Sequence, residues 1–167
     1  MSERTITILK KNDRFVAGVF TAEGLYSTCG PVGSEIEAIA SAEGVDLKRL
    51  DSKEHLAILE KVFAVSEGLP NVDVSDVKLD MTDLTPKQQN VIRETLRIPR
   101  GQTMSYGELA SRAGFPGAAR FVGNVMATNR FAPLVPCHRV VSSTGIGGYG
   151  RDVRRKIELL KLEGAIK

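Results

Sequence analysis

Tryptophan is missing from this 167-residue chain, aromatic residues make up 5% of it, and cysteine and histidine occur twice each. Two cysteines, Cys29 and Cys137, permit one internal disulfide at most, which excludes a small scaffold stapled by several bridges and makes reduced thiols the expected state. Together with His55 and His138 they form none of the paired CxxC or HxxxH spacings that zinc sites use, so neither a metal nor another cofactor is expected. No apolar run approaches the ~18 residues of a membrane span. The opening "MSERTITILKK" also lacks the long apolar stretch of a secretory signal, and a cytoplasmic location without membrane attachment is expected.

What is present is an ordinary globular composition, 42% hydrophobic and 26% charged, in a length that fits one domain or two small ones. The net charge of +3 hides an asymmetry. Residues 1–80 carry 9 Lys and Arg against 14 Asp and Glu, whereas residues 81–167 carry 14 against 6. A basic half suggests a polyanionic partner, usually nucleic acid; a merely solvated basic face is the plain alternative.

In the acidic half, "TITILKK" and "FVAGVFT" alternate apolar and polar positions and "GLYSTCG" follows, predicting a short antiparallel sheet with turns at Asn12-Asp13 and Glu23-Gly24. Ser34 with Glu37 three residues on starts a helix that stops at Gly44. A second helix is predicted from about Ser52 to Ser66, with Leu56, Leu59, Val62 and Phe63 on one face. "VKLDM" is read as a returning strand, and a boundary is expected near residues 80–85.

The basic half opens with strong start signals: Thr85 as N-cap, Pro86 at the first helical position and Gln88 at the capping-box position. Val91, Ile92 and Leu96 give that helix an apolar face, and Pro99 and Gly101 end it. Ser105 and Glu108 begin "YGELASRAG"; Gly114 and Pro116 mark a turn; and "GAARFVGNVMATN" follows with Val122, Val125 and Met126 inward. Helix, turn and second helix make a helix-turn-helix pattern. A glycine-rich loop, "SSTGIGGYG", lacks the strand, spacing and lysine of a phosphate-binding loop. A last helix is predicted from about Asp152 to Leu162.

Between these elements "PCHRVV" sets Cys137 beside His138. Neighbouring side chains on a strand point to opposite faces and neighbours on a helix diverge, so the pair cannot easily touch directly. An imidazole acting through one water could still take the thiol proton, raising a thiolate population that is otherwise a few per cent at neutral pH. The imidazolium would then need a carboxylate, for which Glu108, Glu158 and Glu163 are the local candidates. Taken alone, the same two residues are more commonly a small buried hydrophobe and a satisfied core histidine.

The runs "IPRGQTMSYGELASRAG", "AARFVGNVMATNR", "PCHRVV" and "KIELLKLEG" in this order resemble the O6-alkylguanine-DNA alkyltransferases, over about residues 84–164. The resemblance implies an α+β fold with a small ribonuclease-H-like N-terminal sheet domain, residues 1–82, and a winged helix-turn-helix DNA-binding catalytic domain, residues 83–167. It implies that Cys137 takes the alkyl group from O6-alkylguanine, and from O4-alkylthymine, in duplex DNA, once per molecule. His138 would be the water-mediated base, Glu163 its orienting carboxylate, Asn129 the holder of the turn before the cysteine, and Tyr106 a proton donor that also contacts the flipped nucleotide.

Arg120 would fill the vacated place in the base stack, with Ala119, Gly123, Phe121 and Ser143 also facing DNA. Val140, Met126, Tyr149 and Gly150 would line the base pocket, the Val140 and Cys137 carbonyls reading the guanine amino group. The implied partner is double-stranded DNA, bound in the minor groove by a monomer with little sequence preference. Three positions depart from the family pattern: Arg130 follows Asn129 where proline is usual, Phe121 follows Arg120 where a small residue is common, and Tyr149-Gly150 replaces a Tyr-Ser pair. A DNA-binding module without catalysis is the competing reading; a Cys-His hydrolase would need a distant base, and His55 is the only one available.

Overall fold

A computed structural model describes residues 3–147 and 153–167. The chain divides into two compact units, one made of residues 1–83 and 130–134, the other of residues 84–129 and 135–167.

In the first unit β1 (Thr5–Lys11), β2 (Arg14–Thr21) and β3 (Gly24–Thr28) form an antiparallel meander. Asn12 and Asp13 both take positive φ, at 52° and 59°, the primed geometry whose twist suits a two-residue hairpin and which Asn and Asp tolerate well. Gly24 begins β3 at φ 133°, where a Cβ would strike the Lys78 carbonyl. A fourth strand, β4 (Lys48–Arg49), pairs parallel with β1 and gives the sheet order β3-β2-β1-β4.

Two helices flank this sheet. The first, α1 (Glu35–Ser41), is capped by Ser34 accepting from the Glu37 amide; α2 (Lys53–Ser66) is capped by Ser52 accepting from His55. Side chains along a strand alternate faces, so β2 serves two cores. Val16 and Phe20 pack with Leu59, Val62 and Phe63 of α2, while Ala17 and Val19 pack with Ala38 of α1 and with Ala42. Burial on both faces explains the almost unbroken apolar run of β2. The stretch expected as a strand at "VKLDM" makes instead one isolated parallel bridge, Leu25 with Leu79.

The second unit contains α3 (Pro86–Leu96), α4 (Tyr106–Arg112), α5 (Ala119–Ala127) and α6 (Val153–Leu162). Both halves of the capping box close at the start of α3, the Gln88 amide donating to the Thr85 hydroxyl and the Gln88 side chain accepting from the Thr85 amide. A short parallel pair, β5 (Met104–Ser105) with β6 (Val140–Val141), sits among the helices. The core of this unit is supplied by Val91 and Ile92 of α3, Leu109 and Ala110 of α4, Val122 and Val125 of α5, and Leu159 and Leu160 of α6. Six α-helices and a mixed sheet make an α/β architecture among the described residues, where no helix is long and apolar enough to cross a membrane.

Candidate active site

The two helices of the turn motif are placed by their ends. Ser105 caps α4 by accepting from the Glu108 amide. The turn after α4 uses Gly114 and Gly117, at φ 93° and 85°, conformations that cost a non-glycine residue roughly 1 kcal/mol or more. The following α5 begins without a side-chain cap. Its inner face, Val122, Val125 and Met126, is buried, and Arg120 projects from the exposed side.

Beyond α5 the chain folds into a loop whose base is closed by Asn129, its side-chain amide donating to the Val135 carbonyl at 2.9 Å. The Cys137 amide donates to that same carbonyl at 2.8 Å. Cys137–Arg139 then form one 3₁₀ turn, followed at once by β6. This is neither of the two regular elements weighed for the Cys-His pair. A 3₁₀ turn spaces successive side chains about 120° apart, so Cys137 and His138 leave it in different directions, and the long side chain of Arg139 still reaches the partner that His138 bonds.

That partner is Glu163, just past α6. Its Oε1 accepts from His138 Nε2 at 3.0 Å and from Arg139 Nε at 2.9 Å, and its Oε2 accepts from Arg139 Nη2 at 2.7 Å. Arg139 Nη1 also donates to the Ile98 carbonyl at 2.8 Å. Of the three carboxylates open at the outset, Glu108 pairs with Arg112 and Glu158 with Arg155, leaving Glu163 as the one on His138.

Cys137 is 7% exposed, His138 0% and Glu163 5%, and burial governs their protonation. Burial pushes the His138 imidazole below its ordinary 6.5; Glu163 pulls it back up, while Arg139 and Lys156 add to the lowering. Burial also raises the Glu163 carboxyl, but hydrogen bonds from Arg139 and His138 outweigh it and carry the group from 4.5 down to about 2. An ionised Glu163 can only accept, so the proton of a neutral His138 sits on Nε2. Nδ1 is then a bare acceptor, buried and without a hydrogen-bond partner among the described residues.

Lys156 of α6 is wholly buried and donates to the Val140 carbonyl at 2.6 Å. Burial lowers it from 10.5 to about 8, and the charge of Cys137 opposes that lowering. Its Nζ also lies 5.8 Å from the centre of the Tyr106 ring. A Cβ on Gly147, which sits at φ 79°, would lie 2.9 Å from the Tyr106 hydroxyl. Lys156 and Arg139 were both missed as site residues in the sequence. Glu163 and Lys156 go to different partners, Glu163 to Arg139 and Lys156 to the Val140 carbonyl.

The remaining expected positions fall in several places. Ala119 and Gly123 are half-buried on α5, and a Cβ on Gly123 would meet nothing within 4 Å. Phe121 is half-buried, with the Lys87 ammonium 4.4 Å from its ring centre and 4.7 Å from that of Phe115. Met126 faces α3, its sulfur 3.9 Å from the Thr95 hydroxyl. Ser143 is exposed, Val140 is buried, and Tyr149 and Gly150 lie outside the described residues. His55 belongs to the first unit, stacked on Phe20 at 3.7 Å.

Arg130, where proline was the usual residue, is a heavily bonded side chain of the first unit. It donates to the carbonyls of Tyr26 and Asp80 at 2.6 and 2.8 Å and to the Asp83 carboxylate at 2.6 Å, with its guanidinium 4.1 Å above the Tyr26 ring.

Residues 86–165 match the family model described as 6-O-methylguanine DNA methyltransferase, DNA binding domain. Over 89 residues the chain is 49% identical to the methylated-DNA–protein-cysteine methyltransferase of Mycobacterium tuberculosis, covering 53% of each chain. The protein of that name from Shigella flexneri is 43% identical over 95 residues, 56% of each. The match thus spans about half the length of these curated relatives. Over nearly the whole chain, the fold resembles the crystal structure of Mycobacterium tuberculosis O6-methylguanine methyltransferase, with a TM-score of 0.73 at 28% identity, covering 97% of this chain and 93% of that one. A similar TM-score of 0.68, at 23% identity and covering 96% and 99%, relates the fold to the enzyme of the archaeon Pyrococcus kodakaraensis. Residues 86–165 are thus similar to the DNA-binding domain of the 6-O-methylguanine DNA methyltransferases.

Proposed function

We propose that the protein repairs O6-alkylguanine in duplex DNA by transferring the alkyl group to its own Cys137. The observation that carries this reading is the buried Nδ1 of His138, without a hydrogen-bond partner among the described residues, on the same turn as a buried thiol, with Nε2 committed to an ionised Glu163. A neutral imidazole fixed in that tautomer is a base whose accepting lone pair is not spent elsewhere.

The Cys137 proton passes through one water to His138 Nδ1, and Glu163 stabilises the imidazolium. The thiolate sulfur forms a bond to the alkyl carbon as the carbon–O6 bond breaks, its electron pair going to the guanine. Tyr106 supplies the compensating proton to the base. The product is a thioether, which thiol exchange does not reverse, so each molecule acts once; O4-alkylthymine fits the same chemistry.

A thiol buried in a protein pocket cannot reach a stacked base, so the nucleotide must be extruded at a cost of a few kcal/mol. Arg120, exposed on α5, offsets part of that cost by entering the gap. The small Ala119 and Gly123 favour close approach to a minor-groove floor, and recognition then rests on phosphates and shape with little sequence preference. The first unit is read as ribonuclease-H-like and the second as a winged helix-turn-helix acting as a monomer in the cytoplasm. The structure of the mycobacterial protein in complex with DNA, with a TM-score of 0.73 at 28% identity, supports a DNA partner.

Incubation with a duplex carrying one O6-methylguanine, followed by intact mass and peptide mapping, tests the reading. One methyl group on Cys137, saturating at one per molecule, is expected. Binding of that duplex with no mass gain would sink the reaction and leave a DNA-binding module.

A further inference from the structure

The Cys137–His138–Glu163 arrangement contains an electrostatic problem that its three members do not solve. A buried carboxylate beside a buried imidazole is most cheaply balanced by protonating the imidazole, because an unpaired buried charge costs several kcal/mol. An imidazolium has no lone pair and cannot act as the base. Something else must neutralise Glu163.

The only cation bonded to Glu163 among the described residues is Arg139. It engages both carboxylate oxygens, at 2.9 and 2.7 Å, while its remaining nitrogen is fixed on the Ile98 carbonyl at 2.8 Å. A guanidinium keeps its charge at every accessible pH, and its planar fork matches a carboxylate in two parallel bonds. Lys156, the other buried cation, is directed to the Val140 carbonyl at 2.6 Å.

Resting on the transferase reading, we propose that Arg139 is a positioning residue for it: as the fixed counter-charge of Glu163, it leaves His138 neutral, with Nδ1 free to accept the thiol proton. Glu163 then orients the imidazole without protonating it in advance. The charged groups acting on His138 are Glu163 beyond α6, Lys156 on α6, and Arg139 on its own turn; Cys137 is its chain neighbour. Arg139 adds to the lowering by burial, in the direction the proposal requires.

The chain has two histidines, so nitrogen-15 NMR of the free protein can follow both imidazoles without DNA. At pH 7 the parent protein is expected to show His138 neutral with its proton on Nε2; an imidazolium, or the other tautomer, overturns the proposal. In Arg139→Gln the His138 midpoint should rise by about one pH unit or more, a tenfold change or greater in its proton affinity. The acid limb of the transfer rate should move up with it, so that transfer lost at pH 7 returns as pH is raised.

Arg139→Lys retains a cation and is expected to hold the midpoint closer to the parent value. An unchanged midpoint in folded Arg139→Gln, or an equal rise in Arg139→Lys, overturns the counter-charge role. If Arg139→Gln does not fold, the parent tautomer and the Arg139→Lys midpoint still decide. A parent protein that titrates as expected yet transfers no alkyl group would sink the transferase reading alone.

Discussion

Glu163 accepts from Arg139 on both carboxylate oxygens, and one of them, Oε1, is shared with the ring of His138. The three groups are distant or adjacent in sequence without regard to their roles, and their pairing makes the second unit sensitive to acid in a defined way.

The folded chain holds His138 below its ordinary 6.5 and Glu163 at about 2 instead of 4.5. Below pH 6.5 the unfolded chain takes a histidine proton that the fold refuses, so stability falls as pH falls. The Glu163 contribution is complete above 4.5 and is lost as pH drops towards about 2, a loss on the order of 3 kcal/mol. Urea midpoints measured from pH 7 to pH 3 should decline throughout, and Glu163→Gln should remove the lower part of the decline. A flat profile would contradict the ionised Glu163.

Replacing the Cys137 thiol should separate chemistry from binding. Cys137→Ala is expected to abolish alkyl transfer and retain affinity for modified duplex, with residual transfer counting against the nucleophile. Cys137 is 7% exposed, so an added methyl group crowds a filled site at a typical cost of ~1–3 kcal/mol. The methylated protein should therefore melt below the free form; an equal or higher Tm would rule that out.

Arg120 and Phe121 are adjacent on α5, and different outcomes are expected from them. Arg120→Ala should slow transfer from duplex DNA more than transfer from a free modified base, because only the duplex needs its stack refilled. Phe121 is engaged with Lys87 at 4.4 Å. Its replacement by alanine should reduce stability, with ~0.5–1 kcal/mol from the cation–π contact alone, and leave the duplex-to-base ratio unchanged. A ratio that moved equally for both variants would assign them one role.

Gly147→Ala places a side chain where φ is 79° and the Tyr106 hydroxyl is 2.9 Å away. Strain of roughly 1–2 kcal/mol from the backbone should add to displacement of Tyr106. Transfer is expected to fall further than melting temperature; wild-type rates in this variant would show that Tyr106 has no part in the reaction.

Arg130→Ala removes charge-assisted bonds to Asp83 and bonds to two carbonyls. Such bonds are worth ~1.5–3 kcal/mol each when one partner is charged, and the expected loss in chemical denaturation is about 2–3 kcal/mol in total, since Asp83 is half exposed. A neutral substitution would mean that the bonds are exchanged for water without cost.

Local chemistry was readable in the sequence and long-range pairing was not. Thr85, Pro86 and Gln88 announce the start of α3 because a capping box is complete within four residues. Asn12-Asp13 likewise announces a hairpin. The two-residue strands β4, β5 and β6 have no room for a period of two, and their parallel partners lie far away in the chain. Glu163 could be told from Glu108 and Glu158 only by the family resemblance, since all three are carboxylates on the basic half and their partners are set by packing. Arg139 was hidden beside the two residues that drew attention, and the burial of Lys156 is set by packing that a helix pattern alone does not reveal. Nothing in "NRFAP" signals that residues 130–134 join the first unit.

That excursion bears on how genes of this kind can be recombined. Leu134 is 3% exposed in a cluster with Val16, Phe20, Leu25 and Leu59, and Phe131 is 1% exposed. A hybrid joined at a single crossover between residues 83 and 84 would import Leu134 from one parent into a hydrophobic core built by the other. Chimeras that swap 130–134 together with residues 1–83 should be soluble where single-crossover chimeras aggregate, because heredity would then follow the core and not the order of the codons.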